Sequence, residues 1–198
     1  MKNQFKPMAP GMNGTNQIYP SKIMLAGEYG VVVGGSALTI PCRQFYAVVR
    51  RMDDIPAGRE EEAGQSSRYL EGLYRYIRDL PRDTFHARPD LEFFSGTSGS
   101  YWLEMNIPAG YGLGSSGAVS AAVYDLFFQG AGDRHLTEQR SDLAAIESFF
   151  HGRSSGVDAL TCHAGTPLHF LEDGTIRRVA FDPAALPGGY RFFLLDSG

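Results

Sequence analysis

Pro108-Ala109-Gly110-Tyr111-Gly112-Leu113-Gly114-Ser115-Ser116-Gly117-Ala118 is the stretch on which the fold turns. Before it, Tyr101–Ile107 is predicted as a strand. After it, the mostly apolar run Ala118–Phe128 is predicted as a helix. A strand, a glycine-rich loop and a helix start, in that order, make a ready anion site. Gly110, Gly112 and Gly114 allow close approach of the backbone to a ligand and positive φ. Backbone N–H groups around Leu113–Ser116 can point into one concavity. A helix beginning near Ser116 adds about half a positive charge at its N-terminus. Ser115 and Ser116 can cap that helix or offer hydroxyls to a phosphate or a metal.

Two well-known phosphate loops do not fit. Gly112–Gly117 spells G-x-G-x-x-G, but a dinucleotide fold needs a second strand ending in an acidic residue about 20 positions on. The corresponding window, GAGDRHLTEQ, has no strand pattern. No Lys follows the last Gly, so a Walker A loop is absent as well.

Upstream, Lys22–Pro41 is apolar and cut by Gly27, Gly30, Gly34 and Gly35, which predicts two or three short strands with tight turns. Phe45–Met52 reads as another strand and Asp53–Ser67 as a solvated loop. Leu70, Leu73, Tyr74 and Ile77 recur at helical spacing within Ser67–Leu80, and Pro81 follows. Leu91–Phe94 is expected to pair as a strand with Tyr101–Ile107. Downstream, an amphipathic helix is expected over Thr137–Phe150 and a short one over Ser155–His163. A hairpin follows from Pro167–Leu171 to Ile176–Phe181, and then a final strand at Tyr190–Leu195.

Composition narrows the function classes. The chain has 198 residues, 43% apolar and 12% aromatic, enough for a sizeable core. Its formal net charge of -4 and lack of a basic block argue against nucleic-acid binding, which needs clustered Lys and Arg. Cys42 and Cys162 make no disulfide framework. No apolar run reaches the roughly 20 residues of a membrane span, and the first twenty residues lack the apolar core of a signal peptide. A cytoplasmic protein without a membrane partner is expected.

Two acidic residues are out of place on their elements. Glu147 lies four residues after Leu143 and three before Phe150, inside the apolar stripe of its predicted helix. A carboxylate facing a core needs an ion pair or a metal. Asp158 stands at the start of the next helix, where it can complete a capping box with Ser155 or stay ionised as a proton acceptor. His151 before Gly152 fits a cation at a helix C-terminus. Gly152-Arg153-Ser154-Ser155-Gly156 also matches G-x-S-x-G, which raises a serine hydrolase as a rival. Its nucleophile would be Ser154, with Asp158 or Asp173 and His163 or His169 behind it. A nucleophile elbow needs a buried strand just before it, and the preceding segment is helical by spacing.

Three segments together resemble the GHMP small-molecule kinases, and among them the mevalonate kinases, in wording similar to those of Bacteroidota-type bacteria. They are PSKIMLAGEYGVVVGGSAL (Pro20–Leu38), PAGYGLGSSGA (Pro108–Ala118) and ESFFHGRSSGVDAL (Glu147–Leu160). The chain departs from the family pattern at four places: Ser21 stands for Gly, Gly117 for Ala, Ser154 for Pro and Ala159 for Asn.

The resemblance implies an α+β fold, a GHMP-kinase N-terminal domain of the ribosomal protein S5 domain 2-like type, with a mixed sheet packed on helices. Residues 1–18, polar with Pro, Gly and Asn, are expected to be a flexible N-terminus; the resemblance implies an ATP-binding domain over 19–185 and, at 186–198, the start of a C-terminal domain that is otherwise missing. The implied activity is ATP-dependent phosphorylation of a small alcohol, most closely mevalonate to 5-phosphomevalonate in isoprenoid precursor synthesis. An inactive nucleotide-binding fragment of the same fold is the alternative. Implied partners are ATP, Mg²⁺ and the alcohol, with room for a homodimer. Implied roles are Asp158 and Lys22 as catalytic residues, and Gly110, Gly112, Leu113, Gly114, Ser115 and Ser116 around the ATP phosphates. Ser116 and Glu147 would hold the metal, and Glu28 and Tyr29 would contact substrate.

Overall fold

The computed structural model describes residues 16–182 apart from positions 29, 32, 33 and 109. The expectations for residues 1–15, for Tyr29 and for everything from 183 onward, including the Tyr190–Leu195 strand, lie outside the described residues.

An antiparallel sheet is organised around one long strand. Strand β1 (Ile18–Ala26) pairs antiparallel with β2 (Ala37–Arg51) along nearly its whole length. The other edge of β2 is shared: β6 (Leu168–Phe170) pairs with its first residues and β4 (Tyr101–Met105) with its last. β7 (Ile176–Arg178) completes the sheet beside β6, as the expected hairpin. Every pairing among the described residues is antiparallel, so the parallel pair that the expected mixed sheet requires is not found among them.

β2 is one strand where the sequence suggested two. The polar residues Arg43 and Gln44 interrupt its apolar pattern. The register shift between Pro20 and Ser21 absorbs the irregularity, so pairing resumes on both sides of a bulge. The bulge also buries Ser21, whose Oγ donates to the carbonyl of Cys42 at 3.1 Å.

Helices cover the sheet. α1 (Glu60–Asp79) begins seven residues earlier than expected, because Glu60, Glu61 and Glu62 occupy its first turn, where acidic side chains favour the helix dipole. Ala63, Leu70, Leu73 and Ile77 form its buried face. Leu91–Phe94 is not a strand but part of α2 (Leu91–Thr97). Asp90 caps that helix by accepting the N–H of Phe93 at 3.0 Å. A two-residue pair, β3 (Arg88–Pro89) with β5 (Phe128–Gln129), brackets it. α3 (Ser115–Phe127) runs through the middle of the molecule and packs on β1, β2 and the two helices that follow. Its buried residues face all directions, as expected for a mostly apolar helix. α4 (Leu136–His151) ends at Gly152, and α5 (Val157–Ala164) follows after a five-residue turn.

Candidate active site

The N-terminus of α3, the end of α4, the start of α5 and the middle of β1 meet at one place. The loop before α3 carries positive φ at Gly110 (83°), Gly112 (66°) and Gly114 (74°). Gly114 is required there twice over. Its φ suits glycine, and a Cβ would sit 2.8 Å from Cγ of Lys22. The backbone N–H of Lys22 donates to the carbonyl of Leu113 at 3.0 Å, which ties β1 to the loop. Leu113 is buried under the loop, Ser115 and Ser116 are half-buried, and Gly110 and Gly112 face solvent.

Lys22 Nζ lies 3.0 Å from Asp158 Oδ2, with the lysine side chain 7% exposed and the aspartate 30%. Asp158 therefore does not close a capping box, since α5 is capped by Gly156 without a side-chain bond. A nearly buried ammonium needs such a counter-charge. α5 is brought close by Gly117: a Cβ there would lie 2.9 Å from both the carbonyl carbon of Asp158 and the nitrogen of Ala159.

Glu147 faces the same spot from α4 and is 4% exposed. Ser116 Oγ donates to its Oε1 at 3.0 Å and Ser154 Oγ to its Oε2 at 2.5 Å. No Lys or Arg pairs with it among the described residues, so the ion-pair explanation of its burial does not hold. Burial pushes the Glu147 carboxyl above its ordinary range. The charge of Asp158 adds to the rise, and the Ser154 and Ser116 hydroxyls and His151 oppose it. His151 Nε2 is 3.0 Å from Ser116 Oγ. Because that hydroxyl gives its proton to Glu147, the imidazole nitrogen donates. Behind the loop, Cys162 is fully buried, and its thiol is pushed up by burial and by the nearby Asp158 and Glu147.

Residues 73–166 match the model of the GHMP kinases N terminal domain. That stretch has the sequence pattern of a GHMP kinase N-terminal domain. The match includes the whole glycine loop, Glu147 and Asp158, whereas Lys22 comes before it. Among solved structures the chain is similar to mevalonate kinase from methicillin-resistant Staphylococcus aureus MRSA252, at 20% identity and a TM-score of 0.45, covering 82% of this chain and 54% of that one. It is also similar to the Methanococcus jannaschii mevalonate kinase (14%, TM-score 0.46, covering 83% and 55%). A third is L. major mevalonate kinase in complex with R-mevalonate (16%, TM-score 0.47, covering 88% and 56%). The chain spans about half the length of these structures. No curated protein sequence matches it.

Of the residues singled out in the sequence, Lys22, Asp158, Ser116, Glu147 and the loop Gly110–Ser116 come together around the start of this domain's central helix. Glu28 is exposed in the turn after β1, and no hydrogen bond ties it to the cluster among the described residues. Tyr29 lies outside them. The serine-hydrolase rival is not supported. Ser154 follows a helix rather than a strand, its proton is given to Glu147, and His163 is engaged with Asp125 at 2.8 Å.

Sequence reasoning missed the contact of His151 with Ser116 and the bond of Ser154 to Glu147. The signal for the second was in the text: Ser154 stands two helical turns beyond Glu147, just past the Gly152 that ends α4 and reverses the chain.

The donor set also fits a magnesium ion. The Glu147 carboxylate is buried, and among the described residues its hydrogen-bond partners are two hydroxyls with no Lys or Arg beside them. Carboxylate and hydroxyl oxygens are the hard ligands that ion takes, alongside phosphate oxygens. Among the described residues, no group of three or more His, Cys, Asp and Glu forms a metal cage by itself.

Proposed function

We propose that the chain carries the nucleotide site of an ATP-dependent kinase acting on a small-molecule alcohol, with mevalonate, converted to 5-phosphomevalonate, as the acceptor. The carrying observation is that the Lys22–Asp158 pair and the Ser116–Glu147 pair face one glycine loop at a helix N-terminus. Phosphoryl transfer needs little covalent help from a protein and depends on positioning and charge neutralisation. The backbone N–H groups of Leu113–Ser116 and the positive end of α3 receive the phosphate charge.

Ser116 Oγ and Glu147 would hold magnesium, which supplies charge neutralisation across the phosphate oxygens when bound. The Asp158 carboxylate accepts, or orients, the proton of the substrate hydroxyl as that hydroxyl's oxygen bonds to the γ-phosphorus and the bond from phosphorus to the bridging oxygen of ADP breaks. Lys22 Nζ keeps Asp158 aligned and offsets negative charge on the attacking oxygen. Glu28 and Tyr29 are carried over from the family resemblance as substrate contacts. Mevalonate is favoured because the segment Glu147–Leu160 resembles that branch of the family most specifically.

ADP release coupled to ATP and mevalonate tests the reading. Asp158→Asn and Lys22→Met are each expected to lower turnover by about 10²- to 10⁴-fold, with nucleotide binding largely kept. Turnover of either variant within a few-fold of the parent rejects the role given to that residue. ADP release that does not depend on mevalonate rejects the acceptor.

A further inference from the structure

We infer that Ser154 is a positioning residue that fixes the plane of the Glu147 carboxylate and so sets the metal site; this rests on the metal-holding role proposed above for Glu147. The terminal torsion of a glutamate is soft, so one hydrogen bond leaves its carboxylate free to swing. Here the two oxygens are held from two different elements: Oε1 by Ser116 at the start of α3, Oε2 by Ser154 in the turn after α4.

Ser154 is itself fixed at three points. Its Oγ accepts the N–H of Gly156 at 2.9 Å, so the hydroxyl proton is committed to Glu147. Its own N–H donates to Ser148 Oγ at 3.1 Å, and that hydroxyl donates to the carbonyl of Ala144 at 2.7 Å. The turn is thus anchored to the helix that carries Glu147, three residues to one side of it and one to the other. Such an outer contact orients a ligand without touching the metal. Proline is common in the family at this position, as noted above, and proline has no hydroxyl. The turn of this chain therefore supplies a second donor to Glu147 that a proline could not supply.

Mn²⁺ binding to the 198-residue chain, measured by electron paramagnetic resonance in the presence of the non-hydrolysable nucleotide AMP-PNP, tests this without catalysis. Ser154→Ala is expected to raise the Mn²⁺ dissociation constant about 10- to 100-fold at a temperature well below its melting midpoint. Ser154→Thr, which keeps the hydroxyl, is expected to bind within a few-fold of the parent. Glu147→Gln is the control and is expected to lose the ion. Loss of binding in Glu147→Gln with parent-like binding in Ser154→Ala overturns the role of Ser154 alone. Parent-like binding in both overturns the metal role of Glu147 and this inference with it. A folded Ser154→Thr variant that binds no better than Ser154→Ala also overturns it, since the hydroxyl would then not be the active feature.

Discussion

Helix α4 carries two buried acidic side chains five residues apart, and they live in opposite surroundings. Asp142 is fully buried and accepts four donors: the backbone N–H groups of His86 (2.7 Å) and Ala87 (2.8 Å), His86 Nδ1 (2.9 Å) and the hydroxyl of Tyr124 (2.9 Å). Glu147 has two donors, both serine hydroxyls. Backbone N–H groups are fixed and cannot turn elsewhere, whereas a hydroxyl rotates to suit its neighbour. Asp142 therefore clamps three segments together, whereas Glu147 is held by two side-chain hydroxyls and by no backbone N–H group. The difference lies in the donors, since residue type and burial are nearly shared.

The largest expected effect breaks the clamp. Asp142→Asn sets an amide N–H against a backbone donor and is expected to cost roughly 3 to 5 kcal/mol by chemical denaturation. Loss of under 1 kcal/mol would show that the segment around His86 and Ala87 is held by something else. Tyr124→Phe removes one donor of the four and is expected to cost about 1 to 2 kcal/mol by the same measurement.

The smallest effect has the opposite sign. Glu147→Gln is expected to be neutral or slightly stabilising near neutral pH without metal, because an amide can accept from one serine hydroxyl and donate to the oxygen of the other, and carries no buried charge. The pH dependence sharpens this. The folded-state proton affinity of Glu147 is raised above the ordinary 4.5. Its contribution is therefore most favourable below that value and is lost as pH rises through the folded value. Melting curves of parent and Glu147→Gln should converge at the acid end of that window and separate above it, with the variant ahead. A variant that falls further behind as pH rises would reverse the sign and contradict the uncompensated carboxylate.

The placement of Glu147 was legible because its helix is strongly periodic and a charge inside the stripe stands out. Asp142 was not, although it lies one turn before the buried Ile146. Its main partners are backbone N–H groups 55 and 56 positions away, which no side-chain letter announces. The strand β4, the loop and the central helix were readable from Gly110, Gly112, Gly114 and the apolar run behind them. Two elements were misread for local reasons. Glu60, Glu61 and Glu62 look like solvated loop until their favourable place in a first helical turn is considered. Leu91–Phe94 is too short for its periodicity to separate strand from helix, and the capping Asp90 was the better signal. The pairing of Lys22 with Asp158 joins residues 136 positions apart, and only the family resemblance brought them together in the reading.

Gly117 gives the cluster its scale. Where two helices touch through side chains, their separation can drift as those side chains repack. α3 and α5 touch through main-chain atoms at this point, with no room for even a methyl group. The gap between the serine turn and Asp158 is thereby set by van der Waals contact between two backbones, like the jaw of a fixed gauge. Substitutions elsewhere in the core can alter how firmly the gauge is mounted but not the opening it measures.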